Sequence, residues 1–322
     1  MTTPSIGVVV ATRDGRRFIG EQLGSILAGV RPPDRVIVTD DDSGDETVAL
    51  ARDLLQESGV AHEIVVNRPA LGVAGNVANA VARLDTDVVV LSDQDDRWHR
   101  DRLAAVAERF ADPEVVLAHG DADLVDADGN PLGGTLFGRL EVSRAELRGI
   151  AEGRAYDVYL RRNLATGATM AVRRAAIADA LHVPEGWVHD EWFAIVAATR
   201  GRVVVETAPL IDYRLHGANQ IGAAEPTLAR KVRRVLSADA ERLPRLATRF
   251  EALTAFLEAT GASPGHLAAA RAKAAFEARR AALPRVRVAR AGGVLHGLRR
   301  GDYARFASRG RLDAVRDLLQ PR

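Results

Sequence analysis

The chain has 322 residues, of which 47% are hydrophobic and 27% charged, and a net charge of +1. That composition is ordinary for a globular protein, and the length suits one large α/β domain with an appendage or two domains. With no cysteine, disulfides and thiolate metal sites are excluded, and any metal must be held by Asp, Glu or His.

Residues 6–11 (IGVVVA) form a β-branched run, the pattern of a buried strand. They end in a polar turn, Thr12-Arg13-Asp14-Gly15. Ile19, Leu23, Ile26 and Val30 then follow at helical spacing until Pro32-Pro33 stops them. A second strand over 36–39 leads into the acidic stretch 40–45, and Val48, Ala51 and Leu55 resume helical spacing. A third strand over 63–66 is followed by a loop over 67–75, and by a helix through Val77, Ala80, Val81 and Leu84. Residues 88–91 are a continuous aliphatic run, closed by Ser92 and then by Asp93, Gln94, Asp95 and Asp96. The order β-α-β-α-β-α-β predicts a mainly parallel sheet flanked by helices.

Beyond Trp98 the pattern gives a helix (Leu103, Val106, Ala107, Phe110), a strand over 115–119 and a turn-rich segment over 121–134 with Asp128-Gly129 as a hairpin tip. Residues 139–162 are mixed and partly helical, and 168–172 read as a strand. Residues 182–192 enter a helix that runs through Ile195 and Ala198. A strand over 203–206 and a polar loop over 213–222 (YRLHGANQIG) follow. From about Thr227 the pattern is helical and basic, with interruptions expected at Pro244, Pro264, Pro284 and Gly292-Gly293. Residues 1–225 are net acidic and 226–322 net basic, a reversal that the total conceals. The N-terminus shows no secretory signal and no apolar run reaches the ~18 residues of a membrane span, so a cytoplasmic protein is expected.

In parallel sheets of this kind ligands sit at the carboxyl ends of the strands. Three such ends carry polar clusters: 12–15, 40–45 and 93–96. Asp93 and Asp95 share one side of an extended chain. Three carboxylates in four residues repel one another unless a cation sits among them, and oxygen ligands suit Mg²⁺ or Mn²⁺. For an isolated D-x-D, a solvated acidic turn ahead of the next helix is the plainer explanation; the two accompanying clusters argue against it. No GxGxxG follows the first strand and no GxxxxGK[ST] occurs, which disfavours a Rossmann dinucleotide site and a P-loop.

The ordered motifs VVVATRDG…EQLGSIL, VTDDDSGDET, NRPALGVAGN, LSDQDDRW, GATMAVRR, VHDEWFA and YRLHGANQIG resemble the family 2 glycosyltransferases, within them the rhamnosyltransferase-like branch, over about residues 5–222. The resemblance implies a GT-A fold over 1–225. A nucleotide-sugar half (about 1–120) would precede an acceptor half (about 121–225), and a basic helical C-terminal region would occupy 226–322. It also implies an inverting, metal-dependent transfer from a UDP- or dTDP-sugar to a saccharide or lipid-linked glycan acceptor, in polysaccharide or cell-envelope synthesis.

By that resemblance Thr12 and Asp14 lie on the loop that lines the base and ribose, with Arg13 where an aromatic is frequent. Asp41 matches the carboxylate at the nucleoside, with Asp40 beside it. Asp42 stands where the usual Asp-Asp-Gly-Ser has glycine, which restricts the turn unless Asp tolerates it. Gly72 and Asn76 fall near the diphosphate. Asp93 and Asp95 match the DxD pair, Asp95 being the better placed for the metal, and His216 supplies a further ligand or touches the diphosphate. Asp190 matches the general base, which must take the proton of the attacking hydroxyl; Glu191 is its rival.

Plainer roles exist for each: helix caps for the acids of 40–45 and for Asp190, packing for Trp98, Trp187 and Trp192, and solvated faces for the C-terminal arginines. Contact of that basic region with the inner face of a membrane is the alternative for the arginines. Nucleic acid is not expected, because no aromatic residues interleave with them. A sugar-phosphate nucleotidyltransferase would keep the fold but needs a Gly-rich basic loop, of which residues 12–17 are a faint version. A non-catalytic nucleotide- or sugar-binding protein would not need Asp93, Asp95 and Asp190 together.

Overall fold

The computed structural model describes residues 3–216 and 241–321. Two compact units are distinguished, one of residues 3–155, 164–183 and 188–216, the other of 156–163, 184–187 and 241–321. The boundary is therefore not the single cut expected near 225: two short segments of the first 225 residues belong with the C-terminal helices.

The first unit is built on a seven-stranded sheet. Its strands are β1 (Ile6–Thr12), β2 (Arg35–Asp40), β3 (His62–Val66), β4 (Val88–Asp93), β6 (Val115–Gly120), β9 (Ala171–Arg173) and β10 (Arg202–Glu206), in the order β10-β6-β9-β4-β1-β2-β3. Every pairing is parallel except those of β9, which runs antiparallel to β4 and β6. This is the mainly parallel sheet that the sequence predicts. Ile6, Val8, Val9 and Val10 are all buried, as is the run Val88 to Leu91; a strand covered on both faces needs no polar alternation.

On one face the core joins Ile6, Val8, Val10, Val88 and Val90 to Ile19, Leu23 and Ile26 of α1 (Ile19–Leu27), to Ala51 and Leu55 of α2 (Thr47–Ser58), and to Leu103 and Phe110 of α4 (Arg102–Phe110). Helix α3 (Gly72–Arg83) packs on β1 and β2, with α8 (His189–Ala197) beside it. A second sheet, β5 (Arg97–Trp98), β7 (Asp123–Val125), β8 (Pro131–Thr135) and β11 (Ile211–Arg214), has the order β5-β11-β7-β8. Its β7–β8 pair is the expected hairpin, and Gly129 at the tip has φ 85°. After β8, α5 (Leu136–Arg139) and α6 (Arg144–Ala151) are short helices of this unit, and α7 (Ala155–Arg161) falls, from Tyr156 on, in the second unit.

Three local expectations are corrected. The segment 67–75 is loop only as far as Leu71, because Asp41 accepts the backbone N–H groups of Leu71 (2.6 Å) and Gly72 (2.9 Å), which starts the helix early. Those donors have no partner within a helix, and the carboxylate that satisfies them lies thirty residues away in sequence. The strand expected over 168–172 is Ala171–Arg173, preceded by a 3-10 turn at Gly167–Thr169. The loop expected from Tyr213 begins as strand β11, and its remainder beyond His216 lies outside the described residues.

The second unit contains α9 (Arg242–Ala259), α10 (Pro264–Ala281), α11 (Ala291–Arg299), α12 (Asp302–Phe306) and α13 (Arg311–Leu319). Pro244 and Gly292-Gly293 do not interrupt helices; they occupy first turns, where a proline's missing N–H costs nothing. Pro264 opens α10, capped by the Ser263 hydroxyl, which accepts from the His266 N–H at 3.3 Å. Beside an apolar cluster of Phe276, Val294, Tyr303 and Phe306, the interior of this unit carries a charged network. Lys273 and Arg280 hold Glu277 at 2.7 Å each, and Arg280 also binds Asp317 at 2.6 Å. The Tyr303 hydroxyl donates to Asp317 at 2.8 Å.

Candidate functional site

Register brings the three polar strand ends level. Thr12 lies opposite Asp40 in the β1–β2 ladder, and Ala11 opposite Asp93 in the β1–β4 ladder. At the β2 end, Asp40 is fully buried. It accepts from the Thr12 hydroxyl (2.7 Å), the Ser43 hydroxyl (2.5 Å) and the Ser43 N–H (2.9 Å). Asp41 starts α3 as described. Asn76 is buried and its amide is filled by Thr39 and Asn67: its oxygen accepts from both, and its nitrogen donates to the Thr39 carbonyl at 3.0 Å. The oxygens of Asp40, Asp41 and Asn76 are thus engaged in shaping the loops. Asp14, by contrast, is exposed, has φ 47°, and accepts the Gly44 N–H at 2.8 Å. Asp42 takes the glycine position with φ 66°, the left-handed region that Asp tolerates better than most residues.

At the β4 end, Asp93, Asp95 and Asp96 present carboxylate oxygens that all lie within 4.8 Å of one another. His216 meets Asp95 at 2.6 Å and stacks on Phe18, ring centroids 5.0 Å apart. Burial pushes the Asp93 carboxyl up to about 7, and the charges of Asp95 and Asp190 add to it. Burial likewise raises Asp96 well above the carboxylate range, with Asp95 and Asp93 adding, against the opposing Arg214 N–H and Arg102. Oδ2 of Asp96 is buried without a hydrogen-bond partner. Crowded, partly buried carboxylates with an orphaned oxygen fit a hard divalent cation. Asp93, Asp95 and Asp96 would hold it, with His216 alongside.

Around this cluster the loops are clamped. The Gln94 side chain accepts from the Arg13 N–H and donates to the Arg13 carbonyl, both at 3.0 Å, tying the β4 loop to the β1 loop. A Cβ on Gly15 would sit 2.0 Å from the Gln94 oxygen, so a side chain there would push Gln94 out of this clamp. Arg214 is buried. Its backbone N–H donates to Asp96 at 3.0 Å, and its guanidinium reaches the Asp95 carbonyl at 2.7 Å and Glu21 at 2.6 Å. Asp96, Gln94 and Arg214 were not singled out as site residues from sequence. Asp96 had a signal, as the third acid of the run, whereas Gln94 and Arg214 act across 81 and 119 positions of sequence.

Asp190 occupies the second position of α8, whose N-cap is Val188; it is therefore not the cap. Its Oδ2 accepts the Gly167 N–H at 3.0 Å and its Oδ1 the Glu191 N–H at 2.5 Å. Gly167 lies against this helix start: a Cβ there would stand 3.0 Å from the His189 ring nitrogen. His189 is buried, and burial lowers its pKa to about 4, so it is neutral beside Asp190. The Gly167–Thr169 turn that binds Asp190 packs against β4, which brings this helix start toward the acidic strand end, and the Asp190 charge adds to the raised pKa of Asp93.

Residues 7–179 match Glycosyl transferase family 2. The putative teichuronic acid biosynthesis glycosyltransferase TuaG of Bacillus subtilis (strain 168) is 27% identical over 132 residues, which are 40% of this chain and 51% of that protein. The chain thus spans about half the length of the curated relative it matches. Among solved structures, the mannosyltransferase PcManGT from Pyrobaculum calidifontis, in complex with GDP-Man and Mn²⁺, superposes with a TM-score of 0.55 at 19% identity, over 99% of this chain and 85% of that one. S. aureus TarS 1-349 in complex with UDP-GlcNAc gives a TM-score of 0.55 at 17% identity, over 98% and 90%. These structural likenesses show the fold.

Proposed function

The chain belongs to glycosyl transferase family 2, and from that premise we propose that it is an inverting, metal-dependent glycosyltransferase. It transfers a sugar from a UDP- or dTDP-sugar to a saccharide or lipid-linked glycan acceptor. One observation carries the reading: three crowded carboxylates, with oxygens within 4.8 Å, stand at the end of β4, and the turn that binds a fourth, Asp190, packs against the same strand. Nucleoside-diphosphate sugars in the two structural relatives, one of them with Mn²⁺, support the donor class and the metal.

Asp190 takes the proton of the acceptor hydroxyl as that oxygen forms its bond to the anomeric carbon. The bond from that carbon to the diphosphate breaks on the opposite face, and its electron pair leaves on the β-phosphate oxygen. The Gly167 N–H fixes one Asp190 oxygen, and buried neutral His189 adds no competing charge. Arg214 and Gln94 hold the acidic loop and the β1 loop in register. Mg²⁺ or Mn²⁺ on Asp93, Asp95 and Asp96 would offset the charge of the diphosphate.

Calorimetric titration with UDP, dTDP and GDP, with Mn²⁺ and then with EDTA, tests the reading. The expected result is metal-dependent binding of one nucleotide, abolished in Asp95→Ala. Absence of binding by all three, with or without metal, sinks the donor site.

A further inference from the structure

Helix α13 (Arg311–Leu319) is turned inside out. Its buried positions are Asp313, Ala314 and Asp317, while Leu312 (68% exposed), Val315 and Leu319 face solvent. The three exposed residues recur at i, i+3 and i+7, one stripe of a helix. Hydrophobic burial would place that stripe inward. Here the inward face is fixed by cations instead: Arg280 binds Asp317, and Arg242 lies 3.5 Å from Asp313.

The neighbouring elements repeat the pattern. Val286 and Val288 (85% exposed) flank the turn before α11, and Leu295 and Leu298 are exposed on α11 itself. Both the turn at Val288–Arg290 and α11 pack against α13. The exposed charges of this stretch are all positive: among described residues 282–321 the three acids, Asp302, Asp313 and Asp317, are buried, and although Arg290 is buried with them, Arg285, Arg287, Arg299, Arg305 and Arg311 are exposed.

We propose that this face of the C-terminal unit docks on an anionic lipid surface, its valines and leucines entering the headgroup boundary and its arginines meeting lipid phosphates. Exposed apolar clusters mark contact surfaces, and apolar residues interleaved with cations are the pattern of interfacial helices. Charge selects the occupant. A second copy applied face to face would set arginines against arginines, whereas an anionic leaflet complements every exposed charge of the stretch. The surface is independent of the donor site.

Flotation of the full-length protein with phosphatidylcholine vesicles, with and without phosphatidylglycerol, tests this. The protein should float with the anionic vesicles, and less as salt is raised. Leu312→Ser with Leu319→Ser should weaken binding about tenfold or more, and Arg287→Glu with Arg311→Glu should weaken it comparably. These residues are exposed and make no described ion pair, so an unchanged melting temperature verifies the fold of both variants. Failure to float, equal flotation with neutral vesicles, or binding that both variants retain overturns the proposal. So does light scattering that shows a dimer dissolved by Leu312→Ser with Leu319→Ser, because the face is then covered by a second copy.

Discussion

Each unit of the chain clusters acidic side chains away from water, and it treats them in opposite ways. In the first, Asp93, Asp95 and Asp96 face one another, and burial with mutual repulsion raises Asp93 and Asp96. In the second, Glu277 and Asp313 are as deeply placed and burial alone would raise them, yet both are lowered. Lys273 and Arg280 outweigh burial at Glu277, and the Arg309 N–H with Arg280 and Arg242 does so at Asp313. The same residue type is thus left in need of a cation in one unit and supplied with one in the other. An acid cluster whose own cations do not outweigh burial and repulsion is costly for folding and is kept where a ligand brings the charge. A cluster with its own cations serves as core.

This contrast sets where a mutation is felt. In the first unit, Asp190→Asn keeps an oxygen for the Gly167 N–H but cannot accept the hydroxyl proton. Its kcat should fall by about 10²–10⁴-fold with nucleotide titration unchanged, while the amide nitrogen set against the Glu191 N–H lowers the melting temperature only modestly. A variant that retained full turnover would remove Asp190 from the role of base and transfer it to Glu191.

In the second unit the same kind of change should cost stability. Glu277→Gln leaves Lys273 and Arg280 buried with a neutral partner, and breaking such a pair costs about 3–5 kcal/mol. Denaturant unfolding should show the loss. The pH dependence gives the sign. The folded pKa of Glu277 lies below its unfolded value of about 4.3, so its stabilisation is complete above that value and is lost as pH falls through the folded pKa. The acid limb of the stability curve should therefore be shallower in Glu277→Gln. An identical limb in both proteins would mean that Glu277 is not the ionised member of the cluster.

What sequence made legible follows the same division. The sheet order and its helices were readable because β1 and β4 are uninterrupted aliphatic runs and α1 repeats its apolar residues at helical spacing. The acidic strand end was readable from local spacing alone. The contacts that hold it were not, since Gln94 with Arg13, and Arg214 with Asp95, are meetings of residues far apart in sequence whose types carry no local signal. The C-terminal unit was the least readable part. Periodicity assumes that apolar residues face inward, and α13 buries its aspartates; prolines and glycines expected to break helices instead begin them.

The smallest expected effect concerns Asp42, which takes the left-handed conformation that suits glycine. Its φ of 66° would strain most L-residues by roughly 1–2 kcal/mol, and Asp by less. Asp42→Gly removes that strain but enlarges the freedom of the unfolded chain, which offsets about 0.5–1 kcal/mol. The ion pair with Arg68, 3.5 Å long between exposed groups, contributes little either way. The glycine variant should therefore unfold within about 0.5 kcal/mol of the natural chain, whereas Asp42→Ala, which has neither the freedom of glycine nor the local hydrogen bonding of Asp, should lose about 1 kcal/mol. Denaturant midpoints of the three proteins give the order directly. If the alanine variant matches the natural chain, the turn after β2 does not hold the left-handed conformation in solution, and the acids of that loop are not fixed by the backbone as they are at the end of β4.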